Sequence, residues 1–314
     1  MIGAMVNGSR GAWLVALIFV AAFGCATPRA AQQAPSAAQA PAPTRAPAAA
    51  PAPAQASEPP ASDLLNAVLW MQRSVEYKAT ALTAFALARI RLDQALADPS
   101  WTAAPKEQTG AYQSLPPAIL LDVDESILDN SGYQAWMALK GTSFDAKTWN
   151  AYVNTVTSQP IPGAVEFARY ADSKGVKVFY VSNRTAEEEP ATRKNLEKFG
   201  FPMGGNVDTM LMTRKQPDWG SAKGTRRAYI AKSYRVLINV GDNFGDFVDE
   251  YRGSEADRLK VMEEHKARWG REWIMIANPS YGSFESAPFA HDFKLSESER
   301  RRLKRAVLDA WPGP

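Results

Sequence analysis

The sequence has little cysteine, little histidine and little net charge, and each shortage excludes a class of protein. Cys25 is the single cysteine, so no disulfide can form within the chain. The net charge is 36 − 33 = +3, which is too small to indicate a nucleic-acid polymer as partner or a charged membrane-binding surface. His265 and His291 lack the spacing of a zinc motif, and the chain has no dinucleotide-binding or Walker loop. Ser182 does not stand in a Gly-x-Ser-x-Gly elbow, which argues against a serine hydrolase.

The N-terminus has the pattern of an export signal. Arg10 precedes an apolar run over residues 12–23, which is too short to span a bilayer and ends in small residues before Cys25. We therefore expect a signal peptide over residues 1–24. The cysteine after it resembles the bacterial lipoprotein signal, which implies a lipidated Cys25, an outer-membrane anchor and a periplasmic or surface-facing domain. The alternative is a simple signal peptide in which Cys25 is incidental.

Two regions follow the signal. Residues 25–61 consist mostly of Ala, Pro, Gln and Ser, a composition that buries too little apolar surface to fold and favours an extended, disordered tether. Residues 62–314 are expected to form the globular part. Contact with the membrane is expected through the lipid alone.

Short apolar runs alternate with helical patterns over the globular part. Strands are predicted at 118–121, 176–181, 210–212, 236–240 and 273–276, and helices at 62–97, 163–173, 192–199 and 221–232. This alternation predicts an α/β fold with a parallel sheet flanked by helices. The active site of such a sheet lies beyond the carboxyl ends of its strands.

Polar residues follow three of these strands. The segments are Asp122-Val123-Asp124-Glu125-Ser126, Ser182-Asn183-Arg184 and Gly241-Asp242-Asn243-Phe244-Gly245-Asp246. Carboxylates crowded at one sheet edge repel each other unless a cation is present. A few hard oxygen ligands suit Mg²⁺, which also binds substrate phosphate, so the pattern predicts a magnesium site and a phosphate substrate together.

The spacing of Asp122 and Asp124 suits a two-step phosphoryl transfer. Side chains along a strand alternate with period two, so the two carboxylates point the same way. Attack by Asp122 would give an aspartyl-phosphate. Asp124 would protonate the leaving oxygen and then activate water.

Several strings together resemble the haloacid dehalogenase (HAD) superfamily, and within it the class C acid phosphatases of the bacterial lipoprotein 5'-nucleotidase family. They are WMQRSVEYKATALTAFALA, LLDVDESILDNSGYQAWM, IPGAVEFARY, FYVSNR, SAKGTRR, VGDNFGDF and ANPSYGSFE, spanning about residues 65 to 285. The resemblance implies a HAD-like Rossmannoid sheet with a small helical cap, whose elements we expect at 62–110 and 129–161. It also implies a Mg²⁺-dependent phosphomonoesterase with an acidic optimum, acting on nucleoside monophosphates or other esters.

The resemblance also implies roles for individual residues. Asp122 matches the nucleophile and a metal ligand, Asp124 the acid/base, whose backbone carbonyl also reaches the metal, and Ser182 the hydroxyl that binds the phosphoryl group. Lys223 matches the phosphate-neutralising lysine, with Arg214 and Lys215 as nearby rivals. Asp242 and Asp246 match the paired acids that complete the metal site. Glu125 is expected to be structural, and Ser126 to cap the segment that follows.

Several aromatic and polar residues are predicted to contact the substrate. Trp149 and Tyr281 are predicted to stack on a nucleobase, Phe144 is a weaker candidate, and Asn183 and Arg184 are predicted to line the site.

A non-catalytic surface-binding lipoprotein with the same fold is the competing function. Such a protein should have lost one of the acids, the serine or the lysine, and all are present.

Overall fold

A computed structural model describes residues 62–313, and its centre is a five-stranded parallel sheet. The sheet strands are β1 (Pro117–Leu121), β4 (Lys177–Thr185), β5 (Met210–Thr213), β6 (Arg235–Gly241) and β7 (Trp273–Met275), in the order β5-β4-β1-β6-β7. All five coincide with the predicted strands, so the α/β prediction is confirmed. β4 extends further than expected, because it includes Ser182, Asn183 and Arg184.

The sheet forms because its strands are apolar on both faces. Every residue of β6 is buried, and β1 is buried from Ala118 onwards. Continuous apolar runs of this kind are typical of parallel strands covered on both sides. β1 lies in the middle of the sheet, so its carboxyl end is the centre of the edge where the polar segments meet.

The helices cover both faces of the sheet and one end of it. They are α1 (Leu65–Arg73), α2 (Val75–Ala97), α3 (Ser131–Lys140), α4 (Ala146–Val153), α5 (Ala164–Ser173), α6 (Glu189–Phe199), α7 (Gly224–Ala231), α8 (Glu255–Glu264), α9 (Ser283–Ser286) and α10 (Glu297–Ala306). The predicted helices correspond to α1 with α2, α5, α6 and α7. α8 and α10 were not predicted, because neither has a fully buried residue, although α8 packs the partly buried Val261 and Met262 against the core.

A small excursion between β1 and β4 stands over the carboxyl ends of the strands. It holds α3 and α4 between β2 (Leu128–Asp129) and β3 (Gln159–Pro160), which pair antiparallel. α1 packs beside α3, whereas α2 packs on the sheet through Phe85, Ala88 and Leu92. The N-terminal helices therefore serve two different parts of the fold, and the assignment of 62–110 to the cap stays a prediction.

The predicted signal peptide, Cys25 and tether lie outside the described residues. Within residues 62–313, no helix is both long enough and apolar enough to cross a bilayer.

Candidate active site

Three carboxylates converge at the carboxyl ends of β1 and β6. Asp122 follows β1, Asp242 follows β6, and Asp246 ends the 3₁₀ turn Phe244–Asp246. One carboxylate oxygen from each lies within 4.8 Å of the others. Asn278 Nδ2 donates to Asp242 Oδ2 at 2.8 Å, and the Asn243 backbone N–H donates to Asp246 Oδ2 at 2.9 Å. This set of hard oxygens, of which Asp122 and Asp246 are buried, fits a small divalent cation.

Ser126 connects two of these acids. Its Oγ lies 2.7 Å from Asp122 Oδ2 and 3.0 Å from Asp242 Oδ1, and the side chain is fully buried. A tight turn brings it there, since Glu125 adopts a left-handed φ of 57° and Leu128 N–H donates back to the Val123 carbonyl. From its sequence position, Ser126 is predicted only to cap the segment that follows it. Its spacing of four from Asp122 is the signal that was available.

Lys223 supplies the positive charge of the site. It is the N-cap of α7, and its buried ammonium pairs with Asp122 Oδ1 and, at 2.6 Å, with Asp246 Oδ1. Burial opposes this charge, but Asp122 and Asp246 raise the pKa of Lys223 above its ordinary value. The rival Lys215 instead pairs with Glu189 and Asp208.

Burial also acts on the acids. It raises the pKa of Asp122, against the opposing effect of Lys223. It raises the pKa of Asp242 well above the usual range, and the charges of Asp246 and Asp122 add to the effect. Such mutual repulsion would be relieved by a bound cation.

Ser182 on β4 faces Asp124 across the site. Its fully buried Oγ accepts the Arg184 backbone N–H at 3.0 Å and donates to Asp124 Oδ2 at 3.4 Å. The neighbouring Asn183 is exposed, and its Oδ1 accepts from Arg226 Nη2 at 2.7 Å. Arg226 also donates to the Ser182 carbonyl at 2.5 Å, so this buried cation, which the sequence analysis missed, fixes the end of β4.

The carboxylate of Asp124 lies outside the three-acid cluster and has partners of its own. Its Oδ1 accepts from Arg184 Nε and from Asn130 Nδ2, each at 2.9 Å. Arg184 was predicted to contact substrate, yet it is 2% exposed and its Nη1 donates to Thr192 Oγ1 at 3.0 Å. The geometry thus ties Arg184 to the protein interior, and its contact with substrate stays a prediction.

Two predicted aromatic contacts lie on the Asp124 side of the site. The hydroxyl of half-buried Tyr281 bonds to the carboxylate of Glu125, whose other oxygen accepts the Asn130 N–H at 2.8 Å. Burial, together with the charge of Asp124, raises the pKa of Glu125 to about 8. Half-buried Trp149 lies with its ring 5.5 Å from the Arg184 guanidinium carbon. Both aromatics are near the site, and their contact with substrate stays a prediction.

Phe144 lies further out. It is 63% exposed, and its ring centroid is 6.2 Å from that of Trp149. It belongs to an aromatic cluster on the excursion, made of Tyr133, Trp136, Phe144, Trp149 and Tyr152.

This fold and this constellation define a HAD-like hydrolase with acids after β1 and β6, a serine on β4 and a lysine at the start of α7. The family model described as "HAD superfamily, subfamily IIIB (Acid phosphatase)" matches residues 29–284. The chain belongs to this family of phosphomonoester hydrolases. HAD proteins generally use a divalent metal, and the Asp122, Asp242 and Asp246 cluster could hold one.

Similarity to solved structures and to curated proteins supports this family membership. Two crystal structures of the class C acid phosphatase from Bacillus anthracis, one with tungstate bound, are 32% identical and cover 79% of this chain and 97% of theirs, with a TM-score of 0.69. The stem 28 kDa and 31 kDa glycoproteins of Glycine max are 22% identical over 138 residues. The chain spans about half the length of these two curated relatives (54% and 47%).

Proposed function

We propose that this protein is a Mg²⁺-dependent acid phosphatase that hydrolyses phosphomonoesters through an aspartyl-phosphate on Asp122. The observation that carries the proposal is the buried contact of Lys223 with both Asp122 and Asp246, beside Asp242. A nucleophilic carboxylate, a cation for phosphate and a ligand set for a metal thus share one sheet edge.

The donors suit magnesium. The carboxylates of Asp122, Asp242 and Asp246 would hold the ion, and the backbone carbonyl of Asp124 is proposed as a further ligand. All are hard oxygens, which Mg²⁺ prefers over the nitrogen and sulfur ligands of zinc. The bound ion would neutralise charge on the phosphoryl oxygens.

The residues of the chain would divide the reaction between them. An oxygen of Asp122 forms a bond to phosphorus as the bond from phosphorus to the ester oxygen breaks, and Asp124 gives its proton to that leaving oxygen. Water then attacks phosphorus, Asp124 recovers a proton from it, and the acyl phosphate bond breaks to release phosphate and Asp122. Lys223 and Ser182 bind the phosphoryl oxygens throughout.

Nucleoside 5'-monophosphates are proposed as one substrate class. Trp149 and Tyr281 lie on the Asp124 side of the site, where the leaving group must be protonated. Base stacking on an aromatic ring contributes about 1–3 kcal/mol.

The test is phosphate release from p-nitrophenyl phosphate and 5'-AMP with Mg²⁺ or EDTA at pH 5 to 7. We expect turnover that requires metal and is lost in Asp122→Asn but kept in Asp172→Asn, an exposed carboxylate on α5. A higher kcat/KM for 5'-AMP would support a nucleotidase. No metal-dependent release, or full activity in Asp122→Asn, would refute the proposal and favour a surface-binding lipoprotein.

We also propose that the domain is exported and held at the outer membrane by a lipid on Cys25. The support is the sequence of residues 1–25 alone. Mass spectrometry of the mature N-terminus should find a diacylated Cys25, and Cys25→Ala should move the protein to the soluble fraction. An unmodified N-terminus would contradict the anchor and leave the proposed activity untouched.

A further inference from the structure

Arg184 lies beside the proposed acid/base but is placed differently from a substrate-binding arginine. It is 2% exposed, and each nitrogen of its guanidinium group is bonded within the protein. Nε and Nη2 reach Asp124 Oδ1 at 2.9 and 2.8 Å, and Nη1 reaches Thr192 Oγ1 at 3.0 Å. An arginine that clamps phosphate presents two free nitrogens to the ligand. The nitrogens of Arg184 are instead bonded to Asp124 and to Thr192 of α6.

The two oxygens of Asp124 have unequal surroundings. Oδ1 accepts hydrogen bonds from Arg184 Nε and from Asn130 Nδ2, and Arg184 Nη2 lies 2.8 Å from it in an ion pair. Oδ2 has one long contact, 3.4 Å, with Ser182 Oγ. A carboxylate oxygen that accepts two hydrogen bonds and also pairs with a guanidinium nitrogen has little capacity left for a reacting group. Oδ2 remains available, and it lies on the side of the serine that is proposed to bind the phosphoryl group.

The donors that hold Oδ1 are themselves fixed. Asn130 is fully buried, and its Oδ1 accepts from Arg184 Nη2 at 3.2 Å and from Ser158 Oγ at 2.7 Å. Asn195 Nδ2 on α6 donates to the Ser158 carbonyl at 2.9 Å. The excursion and α6 are therefore joined behind Asp124 by a buried polar network, and such networks hold side chains in one geometry.

We propose that Arg184 is a positioning residue, which fixes Asp124 through Oδ1 so that Oδ2 moves the proton in both steps of the reaction. This rests on the proposed function. Proton transfer by a side chain requires hydrogen-bond reach of the ester oxygen, so a carboxylate free to rotate would spend less time in the productive geometry. Arg184 acts through Asp124 and touches neither substrate nor metal.

If Arg184 positions Asp124, the loss of activity in an Arg184 variant should depend on how much the leaving group needs a proton. A p-nitrophenolate leaves easily without a proton, whereas an alkoxide or phenolate depends on protonation. Arg184→Met, which keeps the length of the side chain and removes its donors, should lower kcat/KM for phenyl and alkyl phosphates by about 10- to 100-fold, a fraction of the usual contribution of general acid catalysis. It should lower kcat/KM for p-nitrophenyl phosphate much less, because kcat/KM reports only the step in which the leaving group departs, and it should not raise KM.

The experiment measures kcat and KM for p-nitrophenyl, phenyl and glycerol phosphates in wild type, Arg184→Met, Arg184→Lys, Asp124→Asn and Arg193→Met. Arg193 is the matched control, since it lies on α6 beside Thr192 and pairs with Glu189. Arg184→Met should follow Asp124→Asn in its selectivity between leaving groups, Arg184→Lys should recover part of the loss, and Arg193→Met should match wild type. Thermal unfolding checks that each variant is folded.

Two outcomes would overturn the inference. A raised KM for every ester would make Arg184 a substrate-binding residue. An equal loss of kcat/KM for all three esters in a folded Arg184→Met would make its role purely structural, and if that variant does not fold, Arg184→Lys decides by the same criterion. No activity in wild type would instead refute the proposed function, a result separate from the other two.

Discussion

At the scale of single residues, Ser126 has a role that its position in the sequence hides. Its hydroxyl stands between Asp122 Oδ2 and Asp242 Oδ1, two acids that repel each other. One hydroxyl proton can serve one of them at a time. Ser126 therefore contacts two of the proposed metal ligands, and removing its oxygen should loosen both.

Ser126→Ala should weaken Mg²⁺ binding by about 10- to 100-fold, which is typical of a lost partner behind metal ligands. The readout is the Mg²⁺ concentration that gives half-maximal activity. Ser126→Thr, which keeps the hydroxyl, should stay closer to wild type. An unchanged Mg²⁺ requirement in Ser126→Ala would mean that the hydroxyl does not orient the ligands.

Glu125 makes a pH-dependent contribution to stability. Its pKa is about 8 in the folded protein, against an ordinary value of 4.5. Between these values the folded protein holds a proton that the unfolded chain has lost, so the free energy of unfolding falls as pH rises from about 5 to 8, by at most about 1.4 kcal/mol per pH unit.

Glu125→Gln keeps the shape of the side chain without its charge, so its thermal midpoint should decline less between pH 5 and 8. The measurement is made in EDTA, because a bound cation would also act on this carboxyl. Glu166→Gln, at an exposed position of α5, is the control and should follow wild type. A parallel decline in Glu125→Gln would show that Glu125 is ionised in the folded protein.

At the scale of elements, the end of β6 requires a glycine at position 241. A Cβ at Gly241 would overlap the side chain of Asp246, which folds back over the strand end from the 3₁₀ turn. Asp246 also pairs with Lys223, so this one close approach sets the position of an acid and a base together.

Gly241→Ala should therefore displace Asp246 and weaken Mg²⁺ binding by about 10-fold or more. Isothermal titration with Mg²⁺ measures this directly. Gly110→Ala is the control, since no atom lies within 4 Å of the Cβ it would gain. Equal Mg²⁺ affinity in Gly241→Ala and wild type would mean that the turn Phe244–Asp246 can shift without weakening metal binding.

At the scale of the whole molecule, metal binding should be coupled to stability. Lys223 supplies one positive charge against three carboxylates within 4.8 Å, so these acids still repel one another without a metal ion. A ligand that binds only the folded state at 100 times its Kd adds about 2.7 kcal/mol. For a domain of this size that corresponds to a rise in Tm of about 5–10 °C.

Saturating Mg²⁺ should produce that rise in wild type and in Asp172→Asn, and little of it in Asp242→Asn. Asp242 is the better choice for the variant because, unlike Asp122 and Asp246, it does not pair with Lys223. Differential scanning calorimetry gives the midpoints. The same rise in Asp242→Asn would place the ion elsewhere.

Much of the site could be predicted from the sequence, because the chemistry follows strands that are easy to recognise. Asp122 and Asp242 come directly after continuous apolar runs, and strand ends in a parallel sheet meet at one edge. Asp246 and Lys223 needed the resemblance as well, since a turn and a helix start carry no apolar run. Arg226, Asn130 and Asn278 were missed, because a buried polar residue looks like a surface residue until its partners are known.

By itself the sequence determined the order of the strands along the chain, the α/β class and the choice of Asp122, Asp242 and Ser182 as candidate site residues. Each of these depends on local periodicity or on residues adjacent to a strand end. The tertiary structure alone decided what each side chain contacts. It turned Arg184 inward to Asp124, placed Ser126 between two acids and selected Lys223 over Lys215. Those outcomes depend on atoms brought together from distant parts of the chain, and only the packing of the sheet, the excursion and α6 fixes such distances.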